Sequence, residues 1–265
     1  MQDAFASLSG VSGERSTEDV AVNKAGHCNA ACVYQAKLAG YCRNVTVIWS
    51  KTLIHLSVSI TIENHSSEHQ CTCKIDIKPW PFWSKKGLKS LEVDGRRVDI
   101  YWDLRSAKFS GGSEPTSDYY VALVCDGEVS LLLGDYKKEA YKRTKARPSL
   151  VDATLVSKRE NVSGKKCFST RAKFEDSRRE HEIVVVNSIS GPKDPEMWIS
   201  IDGLLLIHVT NLQWKFRGNE TVMVNKLPVQ VFWDVHDWLF CSPGTGHALF
   251  VFKSGVADSC SDEAG

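Results

Sequence analysis

The chain has few of the features that assign a function by inspection. No stretch of its 265 residues approaches the roughly 20 apolar positions of a membrane helix, so no membrane span is expected. Neither sign of charge dominates. Lys and Arg total 33 against 32 Asp and Glu, which argues against nucleic acid or an anionic membrane as the main partner. The first residues lack a basic stretch followed by an apolar one, so a cytoplasmic or nucleocytoplasmic protein is expected. In that setting the sequons at Asn44, Asn64, Asn161 and Asn219 carry no glycan. Long helical periodicity is absent, which excludes coiled coils and bundles.

Chemistry-bearing motifs are equally scarce. The nine cysteines are odd in number, so they cannot all pair within the chain. Cys28 and Cys32 stand four apart and Cys71 and Cys73 two apart, and neither spacing is a zinc knuckle. Reduced thiols are expected, with no metal and no cofactor. The loops at Ser110-Gly111-Gly112 and Pro243-Gly244-Thr245-Gly246 lack the lysine and following helix of a phosphate loop. Ser242 and Ser254 have no nucleophile-elbow context, leaving hydrolase chemistry unsupported.

What is present is alternation. Val45, Val47 and Trp49, then Leu56, Val58, Ile60 and Ile62, then Cys71, Cys73, Ile75 and Ile77 each recur at period two, the spacing of half-buried strands. Asp94-Gly95 and Asp126-Gly127 lie between such runs and predict hairpins. The segment Lys78-Pro79-Trp80-Pro81-Phe82-Trp83 reads as an aromatic corner, because each proline removes a ladder donor. Residues 135–150 are the most basic stretch. A short helix is expected there, with Glu139 four residues before Arg143 and Pro148 as a stop.

The chain also repeats itself. Shifted by 131 positions, residues 83–109 fall on residues 214–240 without a gap. The identities include Trp83/Trp214, Gly87/Gly218, Trp102/Trp233 and Asp103/Asp234, where chance gives about two identities in all. The expected architecture is all-β: two tandem, internally duplicated antiparallel β-barrel or β-sandwich halves, lipocalin-like in general character, joined by a short helical linker. The expected divisions are a leader at 1–31, a first half at 32–135, a basic linker at 136–164, a second half at 165–254 and a tail at 255–265.

Strings such as CKIDIKPWPFWSKKG, VDIYWDLRSAKFSG, DPEMWISIDG, LQWKFRGNETV and VQVFWDVHDWLF resemble the plant family known as domain of unknown function 868. The resemblance spans about residues 32–254. It implies a plant source and a non-secreted protein, and it supplies no reaction, so the motifs carry over as fold markers. One departure concerns Gly40-Tyr41-Cys42-Arg43-Asn44, where the family usually has Trp in place of Cys42. A lost indole implies an exposed site, a compensated one or an enlarged pocket.

Candidate sites follow from residue type. Asp234 and His236 at i and i+2 of a strand would share a face, an arrangement suited to acid–base catalysis. Asp103 and Arg105 at the equivalent places suggest a structural pair instead. Trp80, Phe82, Trp83, Tyr101, Trp214, Phe216 and Phe232, with Asp103, would line an apolar pocket or fill a core. The leading expectation is a protein that binds a small apolar molecule, recruited as a cofactor-independent isomerase or cyclase in specialised metabolism. The alternative is a non-catalytic module for protein–protein interaction, its protein partners unknown.

Overall fold

The computed structural model describes residues 28–38, 40–52, 55–63, 70–77, 85–110, 112–163, 167–174, 179–189, 194–242 and 246–255. Trp80, Phe82 and Trp83, residues 1–27 of the expected leader and 256–265 of the expected tail lie outside these.

Four strands open the chain: β1 (Cys28–Leu38), β2 (Tyr41–Lys51), β3 (Leu56–Glu63) and β4 (Gln70–Ile77). They form a meander whose buried positions are the alternating ones read from the sequence, Val45, Val47, Trp49, Val58, Ile60 and Ile62 among them. Next come β5 (Lys86–Val93), β6 (Arg96–Asp103), β7 (Tyr120–Cys125) and β8 (Glu128–Leu133). Both expected Asp-Gly turns are present, with positive φ at Asp94, Gly95, Asp126 and Gly127, the geometry whose twist matches paired strands. The helix α1 (Lys137–Thr144) follows, ended by Lys145 in the left-handed conformation, and then the two-residue β9 (Arg147–Pro148). The remaining elements are β10 (Thr154–Ser163), β11 (Cys167–Ala172), β12 (His181–Ser188), β13 (Glu196–Ile201), β14 (Leu204–Val209), β15 (Arg217–Val224), β16 (Leu227–Asp234), α2 (His236–Phe240) and β17 (His247–Ser254).

These strands build three sheets. Eight strands run in the order β15-β16-β17-β10-β1-β2-β3-β4, five as β5-β6-β7-β8-β9, and four as β11-β12-β13-β14. The chain is all-β with two short helices. The expected closure into barrels does not occur among the described residues, because each sheet has two open ends in its strand order. Antiparallel sheets that do not close bury their apolar faces by stacking, and that happens here twice. One core joins β1–β4 to β5–β8. The other joins β10 and β15–β17 to β11–β14.

The two cores share a floor. Cys32 of β1 belongs to the second core and Ala36 and Leu38 to the first, in one unbroken alternation, so both smaller sheets sit on the same face of the eight-stranded sheet. A row across the middle of that face reads Val231, Phe252, Lys158, Cys32, Val47, Ile60. The reverse face carries Phe232, Val251, Arg159, Ala31, Ile48 in the adjacent row. None of these reverse-face residues enters either core.

The repeated hairpins β5–β6 and β15–β16 match atom for atom in several contacts. Trp102 lies opposite Gly87, and Trp233 opposite Gly218. A Cβ on Gly87 would stand 2.4 Å from the Trp102 ring, and one on Gly218 would stand 2.3 Å from the Trp233 ring. Each indole therefore lies flat across a strand that has no side chain at that point. The Leu104 N–H donates to the Lys85 carbonyl at 2.7 Å, and the Val235 N–H donates to the Phe216 carbonyl at 2.8 Å.

Candidate functional site

The aspartates at the ends of β6 and β16 do parallel work. Asp103 accepts the Arg105 backbone N–H at 3.3 Å and pairs with Lys86 at 3.4 Å. Asp234 accepts the His236 backbone N–H at 3.2 Å and pairs with Arg217 at 2.8 Å. Both carboxylates hold the chain as it leaves a strand. Desolvation works to raise the Asp103 pKa, but hydrogen bonds from the Arg105 guanidinium and backbone, with both nearby cations, bring it below its ordinary value.

His236 departs from expectation. Strand β16 ends at Asp234, and His236 opens α2, so the two do not share a strand face. The imidazole Nδ1 contacts Asp237 Oδ1 at 3.0 Å, and the ring packs against Phe216 and Phe240 at centroid separations of 5.3 and 4.9 Å. Arg217 lies over Phe216 at 5.6 Å. Phe240 is 56% exposed and Trp214 81%, so this end of the molecule presents aromatic surface.

The described members of the expected aromatic set do not assemble into one group. Tyr101 packs in a small cluster beneath α1, with Tyr120, Ala122, Val124 and Ala140. Phe232 lies on the reverse face of the eight-stranded sheet, 38% exposed. The two residues occupy equivalent positions on different sheets. One described depression of about 230 Å³ adjoins Asp234 and is lined by Arg159, Asn161, Arg217, Asp237, His247 and Leu249. Another, of about 280 Å³, lies between Lys37 and Arg147 beside Cys125, Asp126, Glu128 and Ser130. Polar and charged groups dominate the first lining, whereas the second adds Leu150 and Val151 to its polar groups.

Sequence reading missed a buried ionic cluster where the two cores meet. Lys158, 1% exposed, pairs with Glu114 and also donates to the Arg171 carbonyl at 2.5 Å. Glu160 lies 3.6 Å from the same ammonium and accepts from Thr170 Oγ1 at 2.5 Å. Burial opposes the charge on Lys158, but Glu114, Cys32 and Glu160 outweigh it, so its pKa is raised. Burial likewise raises Glu160 and pushes the neighbouring Cys32 thiol up to about 12. Cys32 is thus a protonated filler and not a nucleophile.

A second missed pair is His181 with Asp202, whose Nδ1 and Oδ2 stand 2.9 Å apart. The ring is buried and stacked on Phe174, and Asp202 also accepts the Glu182 N–H at 3.0 Å. Desolvation would raise the Asp202 pKa, yet these hydrogen bonds and charges lower it. The pair anchors the third Asp-Gly turn, Asp202-Gly203, which has positive φ at both residues.

No cluster of three or more His, Cys, Asp or Glu among the described residues is placed to hold a metal ion. The eight described cysteines form no disulfide. Cys42 is exposed on β2, so the missing indole leaves no buried hole. No described helix is long and apolar enough to cross a membrane. No curated protein and no solved structure matches the chain. A family model for plant proteins of unknown function, DUF868, matches residues 25–264, and the chain belongs to that family.

Proposed function

We propose that the protein is a non-catalytic interaction module whose recognition surface is the reverse face of the eight-stranded sheet. The observation that carries this reading is the row Phe232, Val251, Arg159, Ala31, Ile48: apolar side chains around one cation, on a sheet whose other face supports both cores. Aromatic and Arg side chains together on an outer sheet face suit docking, since both are enriched at interfaces. The two halves are further read as copies of one ancestral unit. The shared Gly–Trp pairs and the matched Asp–backbone and Asp–cation contacts support that reading.

The test replaces Phe232 with a photocrosslinking phenylalanine in the full chain and exposes it to plant extract. One defined protein should be captured, and Val251→Glu should abolish the capture while leaving the melting temperature within about 2 °C, as expected of a surface change. Capture of no protein, or capture indifferent to Val251→Glu, removes the reading.

A second reading keeps a small molecule at the Phe216, His236 and Phe240 cluster, with His236 or Asp234 moving a proton. The observation favouring it is the depression of about 230 Å³ that adjoins Asp234 and Asp237. Native mass spectrometry of protein purified from plant tissue should then show a copurifying molecule that His236→Ala releases. A clean apo-mass counts against it.

A further inference from the structure

The two copies differ in what lies on their outer faces. In the first copy, Tyr101 of β6 stands opposite Ala122 of β7, which stands opposite Leu132 of β8, and Tyr120 lies beside them. Helix α1 covers this face, burying Ala140 completely and packing Tyr136 and Tyr141 against Tyr120, Ala122 and Val124. In the second copy the same register gives Phe232 opposite Val251 and Val251 opposite Arg159, with Leu249 in the place of Tyr120. Helix α2 only borders it, reaching its edge through Asp237 and turning Trp238 inward onto Phe250. The cause is topological: β8 leads directly into α1, whereas β10, which fills the place of β8 beside β17, leads into β11.

We infer that this bare face receives an amphipathic, acidic helix of a partner protein, seated as α1 is seated on the first copy. The inference rests on the interaction reading above and names the partner's chemistry. A strand is the wrong shape for the site, since β16, β17 and β10 each have neighbours on both sides and offer no free ladder edge. A helix docks by side chains alone and needs no edge. Acidity follows from two replacements. Leu132 of the first copy becomes Arg159, and Val124 becomes Lys253. Arg159 is exposed and pairs with no carboxylate among the described residues. The depression beside Leu249 carries Asp234 and Asp237 as well as Arg217 and His247, so an incoming carboxylate is met on the open face, by Arg159 and Lys253. The same cations disfavour α1 of a second copy of this chain, because Lys137, Lys138, Lys142 and Arg143 make that helix basic.

The probe is a stapled peptide of residues 135–146 carrying Lys137→Glu, Lys138→Glu, Lys142→Glu, Arg143→Glu and Lys145→Glu, which keeps Tyr136, Ala140 and Tyr141. Added to the full-length, isotope-labelled protein, it should shift the amide resonances of Phe232, Leu249, Val251 and Arg159. Arg159→Glu should weaken binding by about tenfold or more, and so should restoring the native basic residues of the peptide. No shift at millimolar peptide, shifts elsewhere, or indifference to Arg159→Glu overturns the inference. The crosslinking experiment separates the two claims. Capture that depends on Val251 without peptide binding leaves the module reading standing and removes the helix; peptide binding without such capture removes both.

Discussion

The hairpins β5–β6 and β15–β16 share the same internal contacts and stand in different surroundings. Both keep an indole lying over a glycine and an aspartate gripping the backbone two residues on. Yet Tyr101 is roofed by α1, while its counterpart Phe232 faces outward. The shared contacts are those that shape the strand pair itself. The differing ones concern what the finished sheet meets, where a change costs the hairpin little. Inward positions differ as well. Leu131, buried in the first core, corresponds to Lys158 at the seam.

The largest expected effect sits at that seam. Lys158→Leu alone should destabilise by about 3–5 kcal/mol, since it strands Glu114 and Glu160 without their cation. Adding Glu114→Gln and Glu160→Leu should recover most of that loss in denaturant melts. A triple variant as unstable as the single one would show that the ammonium contributes something an apolar core cannot replace.

Next come the glycines. Gly87→Ala and Gly218→Ala should each cost about 1–3 kcal/mol, by pushing an indole off its strand. The two costs should agree within about 1 kcal/mol if the pairs are equivalent. A Gly218 variant that melts like the parent would break the equivalence.

The smallest effect addresses the outer faces. Tyr101→Ser should cost about 1–2 kcal/mol through lost packing under α1, and Phe232→Ser less than about 0.5 kcal/mol in the isolated protein. Equal losses in urea titrations would mean that something covers Phe232 already.

Much of the architecture could be read from residue order. The period-two runs, both Asp-Gly turns, the short helix near Glu139 and the Trp102 and Trp233 faces were legible because each is a local pattern. Strand β10 was not. Its inward side carries Lys158 and Glu160, so Thr154–Ser163 reads as polar linker, and only the partners Glu114 and Thr170, distant in sequence, make those charges tolerable inside. The N-terminal part of β1 was hidden for another reason, its inward residues Ala30 and Cys32 being too small to signal a core. His236 was misplaced because alternation continues on paper past Asp234, where the carboxylate turns the chain into α2. The candidate site was the least legible of all, since a bare face is defined by what does not pack on it.

The pairing of β1 with β10 has a consequence for biosynthesis. Strand β17 emerges from the ribosome after every other described strand, yet it belongs between β16 and β10, inside the widest sheet. The first sandwich has all its strands once β9 is made and can consolidate during translation. The second must hold a vacant slot in its floor, with the backbone donors and acceptors along β10 and β16 unpaired, until its final strand arrives to zip the two together.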